Sequence, residues 1–131
     1  MKNQNKQTGV IGEKIAGNYL KKARLAIIAC NYKTPFGEID IIAWQNRTLV
    51  FIEVKTRTSV NFGCPLLAIT ESKKRHIVKN AVYYLKKYNI PGHNVRFDAV
   101  SIMLTDDLEF VRYEHVKNII ILEEDHLCYP K

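Results

Sequence analysis

Residues Gly37–Arg57, GEIDIIAWQNRTLVFIEVKTR, read as two strongly apolar β-strands joined by a polar turn at Asn46-Arg47. A two-residue connection of this kind is what a tight β-hairpin uses. Four charged residues interrupt the two strands where a core would take Val or Ile: Glu38, Asp40, Glu53 and Lys55. The fold and the function of the chain both depend on what these four side chains do.

The turn predicts the register of this hairpin. Counting outward from it pairs Trp44 with Leu49, Ile42 with Phe51, Asp40 with Glu53, and Glu38 with Lys55. Since side chains alternate between the faces of a sheet, all four charged residues are predicted on one face. The other face would carry Ile39, Ile41, Ile52 and Val54. Apolar residues on both faces are typical of strands that are covered on both sides.

Opposed side chains have Cβ atoms about 5 Å apart, so Asp40 and Glu53 are expected to repel each other. Either one of them is protonated, with a raised pKa, or a cation lies between them. In a structural interpretation, Lys55 neutralises Glu38 at an ordinary charged sheet edge. In a functional interpretation, the carboxylates bind Mg²⁺ or Mn²⁺, and Lys55 offsets charge on a phosphate. The second interpretation predicts a site for phosphodiester hydrolysis.

The rest of the chain predicts one α/β or α+β domain, over residues 1–131, with a mixed central sheet flanked by helices. An amphipathic helix is expected from about Thr8 to Arg24, with Ile11, Ile15, Tyr19 and Ala23 on its buried stripe, which Ala16 and Leu20 widen. A first strand follows over 25–32, and a loop over 59–65. A second helix is expected from an N-cap at Thr70 to Tyr88, with Ile77, Ala81, Leu85 and Tyr88 buried. Strands over 95–104 and 108–116 would complete the sheet.

The amino-acid composition indicates which class of molecule the protein binds and in which cellular compartment it works. The net charge of +7 on 131 residues indicates a polyanion, with nucleic acid first and a membrane surface second, although an idle basic surface is an alternative. Three cysteines without a CxxC spacing indicate a reducing compartment rather than a disulfide framework or zinc ribbon. The sequence has neither an apolar signal segment nor an apolar run near the roughly 20 residues needed to cross a bilayer. We therefore expect a cytoplasmic protein with no membrane partner.

Several motifs together resemble a known family. Asp40 followed by Glu53-Val54-Lys55 is similar to the PD-(D/E)xK nuclease signature, which is loose. More specific are GEKIAGNYL at 12–20, GEID at 37–40, FIEVKTR at 51–57, FG-C-P at 62–65, Lys73, and RFDAV at 96–100. With these motifs the chain resembles the uncharacterised bacterial YraN-like family, which is similar in its core to archaeal Holliday-junction resolvases. The resemblance covers nearly the whole chain, except the first few residues and the tail after about residue 122.

The resemblance implies a restriction-endonuclease-like fold with Asp40, Glu53 and Lys55 as the catalytic set. Resolvases of this kind also use a Glu from the first helix, which matches Glu13 here. Asp40, Glu53 and Glu13 would then be the ligands of Mg²⁺ or Mn²⁺. The alternative for Glu13 is a solvated charge on the flank of the helix. The strict nuclease signature has Pro before the first acid, where this chain has Ile39.

Basic residues around this set are expected to contact DNA phosphates: Arg57, Lys73, Lys74, Arg75 and Lys79. A solvated helix face, and for Arg57 an idle loop charge, are the alternatives. The leading hypothesis is a metal-dependent endonuclease for branched or structured DNA. The rivals are a non-catalytic DNA-binding module of the same fold and, more weakly, a structural protein. By analogy with resolvases the chain would form a C2 homodimer. The apolar tail VKNIIIL, residues 116–122, would contribute to the interface. The alternative is that this tail packs on the core of its own chain.

Overall fold

The computed structural model describes residues 2–58, 69–91 and 94–120. The predicted loop over 59–65, with its FG-C-P motif, and the last residues of the apolar tail lie outside these ranges. Within them, the chain forms two helices and five strands, in the order α1 (Lys2–Lys22), β1 (Ala26–Thr34), β2 (Gly37–Gln45), β3 (Thr48–Thr58), α2 (Glu71–Lys87), β4 (Val95–Leu104) and β5 (Phe110–Val116).

The five strands form a mixed sheet in the order β1-β2-β3-β4-β5. Its pairs are antiparallel except β3–β4, which is parallel because α2 connects these two strands. Helix α1 packs on one face, over a core that includes Ile41, Val50 and Ile52. Helix α2 packs on the other face, over Ile42 and Phe51. The predicted α/β class is confirmed, with a restriction-endonuclease-like core flanked by helices.

The predicted hairpin register is confirmed over its inner part. The ladder between β2 and β3 runs from Gln45–Thr48 at the turn to Ile41–Ile52. The turn residue Asn46 has φ of 54°, a left-handed conformation that asparagine tolerates. The two strands are therefore aligned as predicted up to the residue that follows Asp40.

Beyond Ile41 the two strands diverge, and here the prediction from regular alternation is wrong. Ile39 packs on the α2 face and Ile41 on the α1 face, although they are two residues apart. Glu38 pairs with Lys33 of β1 instead of Lys55. Two features explain the change: Asn31 of the neighbouring strand has φ of 52°, and the Val54 N–H donates to the Asp40 carboxylate.

Helix α1 lies unusually close to β3 at Gly12. A Cβ at this position would lie 2.8 Å from Cβ and Cγ2 of Thr56, so only glycine permits this approach. The buried stripe therefore runs along Thr8, Gly12, Ala16 and Leu20. The predicted stripe was centred one position away, and Tyr19 and Ala23 are exposed.

Helix α2 begins at the predicted N-cap, where Thr70 Oγ1 accepts a hydrogen bond from the Lys73 N–H at 3.1 Å. Ala81 and Leu85 are fully buried, as predicted. The prediction for Tyr88 is wrong, since this residue is half exposed, and Asn80 and Tyr84 are buried in addition.

Asp98 of β4 is a fully buried acceptor. Its carboxylate accepts hydrogen bonds from the Arg96 guanidinium, from Nε2 of His115 in β5, and from the Asn118 N–H. Burial alone would raise the pKa of Asp98, but these hydrogen bonds outweigh it and hold the pKa below its ordinary value. Asp98 therefore acts as a structural acceptor that joins β4 to β5 and to the backbone at Asn118.

Neither helix is long and apolar enough, over the residues that the structure describes, to span a membrane.

Candidate active site

Asp40 lies where β2 and β3 diverge. Its Oδ2 accepts a hydrogen bond from the Val54 N–H at 2.8 Å, which fixes the orientation of the carboxylate. Burial and the charge of Glu53 raise its pKa to about 7, against the lowering effect of the Val54 N–H; Glu13 and Glu38 add to the rise. The sequence predicts a raised pKa or a bound cation at this pair, and the raised pKa of Asp40 agrees with the first of these.

Glu53 is held by a lysine from helix α2. Lys73 Nζ lies 3.0 Å from Oε1 of Glu53, whose side chain is only 15% exposed. The ammonium of Lys73 therefore contacts a carboxylate of the sheet, while its side chain stays 39% exposed. Glu53 also borders a narrow gap between β3 and α2, together with Glu38 and Asn80.

Lys55, two residues further along β3, also interacts with Lys73. The contact with the Lys73 side chain, together with burial, lowers the pKa of Lys55. The contact with Lys55 and the ion pair with Glu53 raise the pKa of Lys73. The two amines therefore differ in how strongly they hold a proton, and Lys73 is the one that stays charged most firmly.

Glu13 reaches the site from α1. It lines a cleft of about 280 Å³ between α1 and β3, together with Thr8, Lys55 and Thr56. Its Oε2 accepts a hydrogen bond from Asn31 Nδ2 at 3.0 Å. Gly12 lets the helix approach β3 closely, and the neighbouring Glu13, which is partly exposed, lines this cleft.

The other basic residues predicted to bind DNA differ in their surroundings. Lys74 pairs with Glu71 at 3.4 Å, Arg75 is exposed, and the Lys79 ammonium lies over the Phe36 ring. Arg57 lies in strand β3 rather than in a loop, and its Nε is buried. Among the described residues this nitrogen has no hydrogen-bond partner.

Sequence reasoning missed Asn31 and Asn80, which shape this region. Asn31 holds Glu13, and Asn80 accepts a hydrogen bond from the Thr34 hydroxyl and packs against Gly37. Gly37 has φ of 149°, a conformation that favours glycine. The one available signal was a polar residue at position 80, beside the apolar stripe of α2.

Two of the carboxylates in this region are suited to bind a divalent cation, but a third ligand is missing from the described residues. Within the described residues, no three His, Cys, Asp or Glu side chains converge in an arrangement that would hold a metal ion. Mg²⁺, however, is commonly bound through one or two protein carboxylates, with water and substrate phosphate as its other ligands. Asp40 and Glu53 supply such a pair, and their mutual repulsion is what a cation between them would relieve.

Comparison with known proteins agrees with the motifs. The profile of the uncharacterised protein family UPF0102 matches residues 12–102. A UPF0102 protein of Desulfosudis oleivorans is 44% identical over 113 residues, covering 86% of this chain and 92% of that protein. One from Caldanaerobacter subterraneus subsp. tengcongensis is 43% identical over 120 residues, covering 90% and 98%. The resemblance to the YraN-like family is thereby confirmed, and the chain belongs to the uncharacterised protein family UPF0102.

Proposed function

We propose that this protein is a metal-dependent DNA endonuclease that hydrolyses phosphodiesters in branched or otherwise structured DNA in the cytoplasm. One observation supports the proposal: the charges of Glu53 and Glu13 both act on the buried Asp40. Lys55, which interacts with Glu53, lines the same cleft as Glu13. A purely structural cluster would place each carboxylate on a cation, whereas Asp40 has none among the described ion pairs and has an elevated pKa.

The chemistry follows from the side chains present. Asp40 and Glu53 would hold Mg²⁺ or Mn²⁺, which lowers the pKa of a bound water and stabilises negative charge on a phosphodiester. The hydrogen bond from the Val54 N–H orients the Asp40 carboxylate and leaves its Oδ1 outside that bond. Lys55 would place positive charge beside the phosphate at the cleft. Glu13 would act through water, since its own carboxylate is held by Asn31.

The charge of the chain supports a nucleic-acid substrate. Its excess of seven positive charges includes Arg75 and Lys79, which are exposed on the same helix that carries Lys73. Lysine and arginine contacts to phosphates provide affinity without reading sequence. The preference for branched DNA rests on the similarity of the family core to resolvases.

The test is cleavage of a panel of single-stranded, duplex, flap and four-way DNAs with Mg²⁺ or Mn²⁺. The wild-type protein is compared with Asp40→Asn, which keeps an oxygen for the Val54 N–H but cannot ionise. The matched control is Asp106→Asn, which removes an exposed carboxylate from the β4–β5 turn. We expect cleavage by the wild type and the control, and none by Asp40→Asn.

DNA binding separates the proposal from its rival. Asp40→Asn should bind DNA as tightly as the wild type or more tightly, because a negative charge is removed. Cleavage that persists in Asp40→Asn would refute the site. A wild-type protein that binds the panel but cuts none of it with either metal would establish the non-catalytic DNA-binding module instead.

A further inference from the structure

A second feature at the same end of the sheet is the aromatic ring of Phe36. Phe36 lies in the turn between β1 and β2 and is 40% exposed. It precedes Glu38 by two residues and Asp40 by four. At about 3.3 Å per strand residue, the Phe36 backbone lies roughly 13 Å from that of Asp40. The ring is therefore within a few nucleotides of the candidate active site.

The turn that presents this ring is held firmly. The Phe36 N–H donates to Thr34 Oγ1 at 3.0 Å, and the Thr34 hydroxyl donates in turn to Asn80 of α2. Asn80 also contacts Gly37 and borders the gap next to Glu53. One buried side chain thus couples the position of Phe36 to the position of the site.

The surroundings of the ring are those of a nucleobase platform. Lys79 Nζ lies 4.3 Å from the centroid of the Phe36 ring. Tyr83 meets the same ring edge-on, with centroids 6.3 Å apart and ring planes at 83°. Sites for single-stranded nucleic acid combine aromatic side chains, on which bases stack, with cations that contact the phosphates.

We propose that Phe36, supported by Tyr83 and accompanied by Lys79, stacks an unpaired base of the DNA next to the candidate active site. This inference rests on the proposed function for bringing DNA to this end of the sheet. It assigns the substrate class more narrowly, because a fully paired duplex offers no free base face to the ring. Lys79 then contacts the phosphate of the stacked nucleotide.

The probe is a DNA duplex with a six-nucleotide single-stranded flap that carries 2-aminopurine at one flap position at a time. Stacking of this fluorescent base on an aromatic ring quenches its emission. Binding is measured without divalent metal, so that no strand is cut. At a rise of about 3.4 Å per stacked nucleotide, we expect the strongest quenching two to five nucleotides from the junction.

Two variants separate stacking from folding. Phe36→Leu keeps an apolar side chain without a π face, and Phe36→Trp restores a larger one. Phe110→Ala is the matched control, since Phe110 is similarly exposed, at 46%, on the opposite edge strand β5. Stacking of one base changes affinity by about 5- to 100-fold. We expect Phe36→Leu to lose the quenching and to reduce the affinity for flap DNA, relative to that for blunt duplex, by a factor within that range. Phe36→Trp and Phe110→Ala should retain the quenching and the relative affinity.

Two results would overturn the inference. One is the same quenching in Phe36→Leu as in the wild type. The other is an equal loss of flap and blunt-duplex binding in Phe36→Leu, which would mean that the residue acts through the fold. Because binding is measured without metal and the quenching is compared with that of Phe36→Leu, the two proposals fail separately: Phe36-dependent quenching without any cleavage supports the platform and refutes the nuclease.

Discussion

Asp40 is expected to destabilise the metal-free protein at neutral and alkaline pH. Its pKa is about 7 in the folded chain, whereas an aspartate in an unfolded chain titrates near 3.9. The folded state therefore binds more protons between these values, and stability falls as the pH rises from about 4 to about 7. One pKa unit corresponds to 1.36 kcal/mol, so the full effect is about 4 kcal/mol.

Asp40→Asn should remove this penalty, because the amide cannot ionise but still accepts the Val54 hydrogen bond. Partial screening by solvent reduces the effect, so we expect the variant to exceed the wild type by about 2 to 4 kcal/mol at pH 8. The difference should shrink as the pH falls from 8 towards 5, because the wild-type carboxyl becomes protonated in the folded state. Urea unfolding followed by circular dichroism, at pH 5 to 8 with a chelator present, measures both free energies.

Saturating Mg²⁺ provides the second half of this experiment. An ion that binds only the folded state stabilises it by mass action. It should therefore recover stability in the wild type at pH 8 and much less in Asp40→Asn. Asp106→Asn, which alters an exposed turn, should follow the wild type throughout. Equal unfolding free energies of wild type and Asp40→Asn at every pH would refute the assignment of a repelled carboxyl to Asp40.

Further predictions concern packing, the buried acceptor, DNA binding and assembly. Gly12→Ala should destabilise the protein by about 1 to 3 kcal/mol because its Cβ would overlap Thr56. Gly9→Ala, with open space around it, should stabilise the protein by up to about 1 kcal/mol. Thermal unfolding compares the two variants, and a stabilised Gly12→Ala would contradict the packing of α1 on β3. Asp98→Ala should cost about 3 to 5 kcal/mol, since it leaves the Arg96 charge buried and unpaired, and a loss under 1 kcal/mol would argue against that role. DNA affinity should fall steeply with salt concentration in titrations by fluorescence anisotropy, and a flat dependence would exclude phosphate contacts. Sedimentation at micromolar concentration should give a homodimer; a monomer that cuts only flaps or single strands would remove the resolvase analogy.

The hairpin register could be predicted from sequence because it depends on local information. A two-residue turn aligns the strands, and apolar alternation then pairs Ile42 with Phe51, as observed. The same count failed at Glu38 and Ile39, because it assumes that the ladder continues to the ends of the strands. Nothing in the residues themselves marks where the strands diverge. That point depends on the left-handed backbone of Asn31, in the neighbouring strand, and on the hydrogen bond between Asp40 and Val54.

The residues that pair with the side chains of helix α2 could not be predicted from the sequence, because these contacts also depend on distant parts of the chain. Lys73, Lys74 and Arg75 are alike in composition, and only the packing of the helix decides that Lys73 turns towards Glu53 while Lys74 pairs with Glu71. Asn80 was not foreseen because a buried asparagine requires a partner, and its partner Thr34 lies in a distant strand. The interaction between Asp40 and Glu53, by contrast, could be predicted because the two residues belong to one hairpin.

The parallel pairing of β3 with β4 has a consequence for the order in which the protein is made. During synthesis, β1, β2 and β3 emerge first and can pair locally, so the carboxylates of Asp40 and Glu53 exist before α2 and β4 do. At that stage β3 has an open edge over Leu49–Thr58, the stretch that β4 later covers, and exposed apolar edges favour association between chains. The lysine that neutralises Glu53 also arrives only with α2. A chain interrupted before α2 therefore carries the carboxylates of Asp40 and Glu53 on a sheet whose β3 edge is still open, without the lysine that neutralises Glu53.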